Sequence, residues 1–379
     1  MSLPDGIAGA ILTVDLGALV ANYQRLRRLA APAAVAAVVK ADAYGLGVQH
    51  VVPALLAAGC RHYFVAHLQE ALAIRPLLPD DCPVYVLNGL VPGAESHAAD
   101  HGITPVLNSR SQVAGWRALA ERRRQPLAAI LQVDSGMARL GLTEDETEAL
   151  AADPLFRQQV PLAAIMSHLA CGDDRENPES ARQNQRFQRL AALFPGVPRS
   201  LANSAGCLLG PAFHHELARP GIALYGGDPT HPLATPFQPV VHLVARILQL
   251  RRVGAGAGAG YGLAWHADGP RRLATISVGY ADGWLRSLSN RGAAYLRGIR
   301  CPIAGRVSMD SIILDVTEVP EAAVHEGDFV ELLGPNQRID DVARDAGTIA
   351  YEILTSLGRR YRRRVLPVAE TTPVQETEA

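Results

Sequence analysis

Between residues 11 and 240 the chain alternates short apolar runs with amphipathic stretches, and this alternation restricts the fold more than any other feature. The runs AVAAVVK (34–40), HYFVA (62–66), PVYVL (83–87), TPVL (104–107), LAAILQVD (127–134), PLAAIMSH (161–168), RSLAN (199–203) and GIALY (221–225) read as strands apolar on both faces. Helix-like segments lie between them, and residues 15–30 open on Asp15, a natural N-cap, with Leu16, Leu19, Val20, Tyr23 and Leu26 at helical spacing. Doubly buried strands alternating with helices over this length predict an α/β TIM barrel, (β/α)8.

From about residue 241 the pattern changes to longer runs rich in valine and isoleucine with period-2 alternation, so a mainly β C-terminal domain is expected over 241–379, with residues 1–10 free to pack with it. A length of 379 residues fits two domains at roughly 100–200 residues each. The Gly/Ala run at 254–262 reads as a flexible loop, because it is not flanked by the strand and helix of a dinucleotide fingerprint. RRYRRR (359–364) reads as an Arg-faced strand or a solvated edge.

A net charge of -1 gives no global reason to bind nucleic acid or an anionic membrane, so the expected partners are small molecules. No apolar run is long enough to span a bilayer and no basic region precedes the first apolar stretch, which makes the cytoplasm the default location. The five cysteines form no CxxC pair, and neither a disulfide framework nor a metal site is implied.

The basic residues are unevenly chosen: Lys40 is the only lysine in the chain, and all others are arginine. Arginine replaces lysine as a surface charge but does not serve as a neutral amine nucleophile. In a TIM barrel the site lies at the C-terminal ends of the strands. Lys40 is expected at the end of strand 1, Gln132 at strand 5 with Arg139 beyond it, His168 at strand 6, and Asn203 and Ser204 at strand 7, with Arg219, Gly221 and Ile222 about the start of strand 8. Asn203-Ser204-Ala205-Gly206 offers a hydroxyl and backbone N–H groups suited to a phosphate. A unique amine opposite a phosphate cradle suggests pyridoxal 5'-phosphate (PLP), which needs both.

VVKADAYGLG (38–47) closely resembles the PLP-lysine motif of bacterial alanine racemases. VDSGMARLGL (133–142), SLANSAG (200–206), RPGIALYG (219–226), AGYG (259–262), SVGYADG (277–283), GRVSMD (305–310) and YEIL (351–354) match other blocks of that family in order, over nearly the whole chain. The resemblance implies that Lys40 carries PLP and acts as acid/base on the D face, while Tyr261 is the base that takes the α-proton of the L-amino acid. It implies Tyr44, Ser204, Tyr351 and the backbone of Gly221 and Ile222 at the phosphate, with Asn203 and His168 close to the cofactor and Arg219 at the pyridine nitrogen. Arg139 and the N–H of Met309 are implied at the substrate carboxylate, His168 as the group that orients the tyrosine, and Tyr280 and Asp310 at the mouth. In the family the tyrosine comes from the partner subunit, so a head-to-tail homodimer with shared sites is implied.

The chain departs from the family at three of these places. Gln132 stands where many members carry a carbamylated lysine, Asp42 where asparagine is common, and Ser308 where cysteine is common. A neutral amide supplies no negative charge to a buried guanidinium, which predicts a small anion such as chloride between Gln132 and Arg139, unless Asp134 or Asp310 neutralises that arginine. Racemases of serine, lysine or a broader range share the fold. Fold-related decarboxylases place a carboxylate where Arg219 stands, and single-domain PLP-binding proteins without turnover lack the β domain and Tyr261. Whether the chain would supply D-alanine for peptidoglycan or degrade it is left open.

Overall fold

In the computed structural model, residues 4–230 and 235–369 are described; 370–379, the end of the expected β-rich domain, lie outside the described residues. Seven parallel strands follow one another in chain order: Ala37–Val38, Tyr63–Val65, Val84–Val86, Ile103–Leu107, Ala129–Gln132, Leu162–Met166 and Arg199–Ser200. Nearly every residue on them is buried, as strands covered by helices on one side and by the barrel core on the other must be. The first barrel helix, Leu16–Ala30, starts where the Asp15 carboxylate accepts from the Ala18 N–H at 2.9 Å, and it buries Leu16, Leu19, Tyr23 and Leu26. Each such side chain contributes about 1.5–3 kcal/mol when fully buried.

The barrel closes differently from the sequence expectation. GIALY is not the eighth strand: Ile222–Tyr225 form a turn of 3-10 helix. The closing strand is Leu217–Ala218, parallel to Ala34–Val35. It is tied on one side by Ala36 N–H to Ala218 O (2.9 Å) and Val38 N–H to Pro220 O (3.1 Å), and on the other by Arg219 N–H to Ala202 O (2.8 Å). A wholly apolar run of five residues has no periodicity to separate strand from buried helix, and here Pro220 precedes it and the Tyr225 hydroxyl donates to Val38 O at 3.0 Å. The shift places Arg219 just past a strand's C-terminal end, on the face where the other residues expected at the site gather.

The second sheet is built around the long strand Val241–Val253, which pairs antiparallel with Ala10–Asp15, Arg271–Ile276 and Phe329–Leu333. The chain therefore enters through this sheet before winding the barrel. The Arg run leads into strand Arg362–Leu366, parallel to Ala10–Asp15. Two helices, Ile339–Ala346 and Ala350–Ser356, were not expected in a β-rich region, and they bring Tyr351 against the barrel mouth. The Gly/Ala run is an ordered hairpin rather than a loose loop: Gly258–Ala259 pairs with Trp265–His266, and Gly260 and Gly262, both at positive φ, flank Tyr261. Among the described residues no helix is long and apolar enough to cross a membrane.

Candidate active site

A cavity of about 820 Å³ opens at the C-terminal ends of the barrel strands. Lys40, Tyr44, Gln132, Arg139, His168, Asn203, Ser204, Arg219, Gly221 and Tyr351 all line it, and Ile222 is buried directly behind Gly221. The cavity thus collects ten of the sequence-derived residues, nine from the barrel and Tyr351 from helix Ala350–Ser356.

Lys40 follows the first barrel strand, and the chain after it makes an unusual turn: Ala41, Asp42, Ala43 and Tyr44 all have φ between 53° and 56°. Left-handed helix costs roughly 1–2 kcal/mol per non-glycine residue, so this turn persists only because its surroundings hold it. Burial lowers the Lys40 amine's pKa, the Arg139 guanidinium adds to the shift, and the Glu70 carboxylate opposes it. An amine that loses its proton more readily is present to a larger extent as the neutral form, the form that attacks a carbonyl or takes up a proton.

Ser204 and Gly221, both expected at a phosphate, are joined directly. The Ser204 hydroxyl accepts from the N–H of Gly221 at 2.8 Å and of Ala223 at 3.3 Å. A Cβ on residue 221 would collide with the Tyr44 hydroxyl, so glycine is required there for that hydroxyl to lie against the backbone. Tyr44 is fixed between Tyr225 (ring centroids 4.6 Å apart) and Tyr351 (6.0 Å), and burial raises its pKa; the Tyr351 pKa is pushed up to about 12 by burial and by Asp173. Both phenols therefore remain hydrogen-bond donors at neutral pH.

Arg219 is only 3 % exposed and has no carboxylate partner among the described residues. One of its terminal nitrogens donates to the Ser200 hydroxyl and the other to Ser167 O at 2.7 Å, and Phe64 lies 6.0 Å from the guanidinium. Burial pulls its pKa down to about 10, still charged at neutral pH. That cation, burial above all, and then Arg139 and Lys40 push His168 down to about 3, so its ring is neutral. The ring's Nε2 sits 3.4 Å from Asn203 Nδ2, while Asn203 Oδ1 accepts from the Gly206 N–H at 2.9 Å. A buried cation, a hydroxyl-and-amide pair and the chain's only lysine lining one cavity suit a flat, anionic, aldehyde-bearing cofactor; the residues present fit PLP.

Gln132 is buried and donates to Leu140 O at 3.1 Å. Arg139 is exposed in the single chain, unlike the buried guanidinium expected, and no carboxylate among the described residues pairs with it. Neither acid considered for that role is available. Asp134 accepts from the N–H groups of Gly136, Met137 and Ala138, and Asp310 accepts from Arg360 at 2.7 Å.

Tyr261, Tyr280, Met309 and Asp310 do not line the cavity. They sit on the β-rich domain, and the first three are 70, 42 and 52 % exposed. They share one face: Tyr280 N–H donates to Ser308 O and Ala281 N–H to Met309 O, and the Arg306 side chain lies beside Gly262, next to Tyr261. One chain therefore holds a cofactor-sized pocket and, apart from it, an exposed cluster with the expected second base.

The sequence reading missed Glu70. One carboxylate oxygen accepts from the Ala41 N–H at 2.5 Å and the other from Ala66 and His67 at 2.7 and 3.0 Å. The spacing of Glu70 after the strand marks a helix N-terminus, but nothing local reveals its bond to a residue 29 positions away.

Residues 14–229 match the alanine racemase N-terminal domain family and residues 240–365 the alanine racemase C-terminal domain family. The chain is 51% identical over 359 residues to a catabolic alanine racemase of Mesorhizobium japonicum, covering 95% of this chain and 94% of that one. It is 51% identical over 382 residues to an alanine racemase of Brucella ovis, covering 96% of each. Among solved structures, alanine racemase from Bartonella henselae with covalently bound pyridoxal phosphate superposes with a TM-score of 0.91 at 45% identity, over 95% of this chain and all of that one. The biosynthetic enzyme from Pseudomonas aeruginosa gives 0.89 at 36%, again over 95% of this chain and all of that one. With both domains matched in order and the barrel-mouth residues assembled as the motifs require, the chain belongs to the alanine racemase family.

Proposed function

We propose that the chain is a PLP-dependent racemase that interconverts L- and D-alanine with two bases, Lys40 on one face of the substrate's α-carbon and Tyr261 of a partner copy on the other. The observation that carries this reading is the chain's only lysine standing in the same pocket as the Ser204–Gly221 cradle and the buried Arg219. Tyr44, Ser204, Gly221, Ile222 and Tyr351 would hold the phosphate, with Asn203 and His168 beside the ring and Arg219 facing it. Bound there, PLP supplies an electron-withdrawing system that acidifies the α-hydrogen of an attached amino acid. Arg219, as a fixed cation, disfavours a proton on the pyridine nitrogen and so limits that electron withdrawal.

Lys40 Nζ, eased toward its neutral form by burial, takes or returns the proton on its face. Neutral His168 orients the incoming Tyr261 hydroxyl, and Arg139 with the Met309 N–H holds the substrate carboxylate. Tyr280 and Asp310 stand at the mouth. The exposed cluster around Tyr261 supports a head-to-tail homodimer, since removing these apolar groups from water requires a surface such as the open pocket of a second copy. A cytoplasmic location accompanies this reading.

The test is borohydride reduction of the protein with PLP, followed by mapping of the adduct. One pyridoxyl group on Lys40 is expected, and Lys40→Ala should lose both adduct and racemisation of L-alanine, assayed beside L-serine and L-lysine. Tyr261→Phe should slow solvent exchange of the L-alanine α-hydrogen by roughly 10²–10⁴-fold, and that of D-alanine far less. A colourless protein without adduct sinks the reading.

A small anion such as chloride beside Gln132 and Arg139 belongs to the same reading: it requires that a partner copy covers the Arg139 guanidinium, which is exposed in one chain, and Asp134 and Asp310 are engaged elsewhere. Exchange into a bulky anion should raise KM for alanine, and Gln132→Glu should remove that dependence. Activity indifferent to chloride would refute it.

A further inference from the structure

Lys40 owes its position to a turn that the local sequence disfavours, and the chemistry proposed for the site does not explain what holds it. Four consecutive non-glycine residues in the left-handed region follow the lysine, and a backbone left to itself would not stay there. The far end of the turn has its own fasteners: Asp42 Oδ1 accepts from the Val48 N–H at 2.8 Å, and Arg363 donates to Gly45 O at 2.6 Å. The near end, next to the lysine, is fastened from another element.

We propose that Glu70 is a positioning residue for Lys40: its carboxylate bridges the Ala41 N–H to the end of the second barrel strand and so sets where the lysine presents its amine. Glu70 lies on helix Leu68–Ile74, and its oxygens are divided between two tasks, Oε1 taking Ala41 and Oε2 taking Ala66 and His67. Three N–H donors converge on two acceptor oxygens, which an ionised carboxylate serves and an amide cannot, because the NH₂ of a glutamine would face a donor. Aspartate, one methylene shorter, would not span the same gap. The bridge joins the lysine-bearing turn to strand Tyr63–Val65, which already hydrogen-bonds the lysine's own strand through Val39 N–H to Phe64 O at 2.8 Å. With Glu70 in place, the residues on both sides of Lys40 are tied to the same neighbouring strand. The same carboxylate also lies close enough to oppose Arg139 electrostatically at the amine.

This inference rests on Lys40 being the cofactor-bearing residue, and the test separates the two. Glu70→Gln is compared with Glu146→Gln in the full chain. Glu146 occupies the same position in the capping box of helix Glu144–Ala151, accepting from the Thr143 N–H at 3.0 Å, and lies outside the cavity lining. Two readouts are taken. In the apoprotein, amide hydrogen exchange over residues 38–47 should quicken by about tenfold in Glu70→Gln, as loss of one charge-assisted hydrogen bond predicts, and stay unchanged in Glu146→Gln. On adding PLP, the rate at which a borohydride-trapped adduct appears on Lys40 should fall by a similar factor in Glu70→Gln alone. If Glu70→Gln does not fold, both readouts are taken in an Ala41→Gly background, where glycine accepts the positive φ without strain. Unchanged exchange over 38–47 in folded Glu70→Gln, or equal effects from Glu146→Gln, overturns the proposal. A wild-type protein that forms no adduct would instead defeat the cofactor assignment, leaving the exchange comparison to judge Glu70.

Discussion

The contact between Gly221 and Tyr44 shows how closely the proposed anion cradle is built. The tyrosine ring is held on two sides by Tyr225 and Tyr351, so it has little room to yield to a new methyl group. Gly221→Ala should therefore move the N–H that meets Ser204 and weaken PLP binding, read as a rise in dissociation constant in an absorbance titration. Much of that loss should disappear in a Tyr44→Phe background, because the hydroxyl is the nearest atom the added Cβ would meet. Residues in contact typically couple by about 0.5–3 kcal/mol, and penalties that simply add would mean the two side chains do not constrain each other. At this scale the sequence was informative where chemistry is rare. A lone lysine and an NSAG segment can be read without coordinates, and Lys40, Asn203, Ser204 and Ala205 line the pocket. Glu70 was invisible because a glutamate three residues into a helix is commonplace, and its distinguishing bond is made to the turn after the neighbouring strand, 29 positions away. The solvent exposure of Arg139 was equally unreadable, since it depends on which surfaces a second copy would cover.

Between elements, the exposed Tyr280–Met309 face is held by a clamp from the chain's C-terminal segment. Arg360 presents its fork to buried Asp282, with Nε to Oδ1 at 2.7 Å and a terminal nitrogen to Oδ2 at 2.9 Å, and reaches Asp310 with its other terminal nitrogen at 2.7 Å. Asp282 also accepts from the Gly279 N–H at 2.9 Å, and its carbonyl accepts from the Gly358 N–H at 2.9 Å, so two segments meet on Asp282 and Arg360 links a third through Asp310. Asp282→Asn should cost about 1–3 kcal/mol in urea unfolding, less than a fully buried pair would, because Arg360 is half exposed. A midpoint that does not move would show that the loops stand without the clamp. The elements themselves were legible to different degrees. Seven barrel strands fall within the apolar runs because doubly covered strands leave long hydrophobic traces. The eighth does not, since Leu217–Ala218 is two residues long and ends at Arg219 and Pro220. Helices Ile339–Ala346 and Ala350–Ser356 were lost in a region whose valine and isoleucine content points to strands, a propensity that helix packing overrides.

For the molecule as a whole, the decisive feature is that the pocket and Tyr261, the residue proposed as the second base, belong to different surfaces of the same chain. If Tyr261 serves its own chain's pocket, it must leave the hairpin that Gly258–Ala259 and Trp265–His266 fix in place. If it serves a partner's pocket, nothing within the chain needs to move. The two arrangements give opposite results when defective chains are mixed. Lys40→Ala and Tyr261→Phe are each expected to be inactive or nearly so alone. In a mixed dimer with shared sites, one site combines both defects, while the other takes Lys40 from the tyrosine variant and Tyr261 from the lysine variant and is intact. Random reassortment of equal amounts makes roughly half of the dimers mixed, each with one working site, so about a quarter of wild-type racemisation should return. With sites confined to single chains, every site in the mixture carries one defect and no activity returns. Recovery should also depend on subunit exchange, appearing only after the variants are dissociated and reassociated together, and at fixed total protein it should peak at equal proportions of the two chains. Activity restored at once on mixing, without exchange, would point to contamination, and absence of recovery from a mixture proven to contain hybrid dimers would place both bases in one chain.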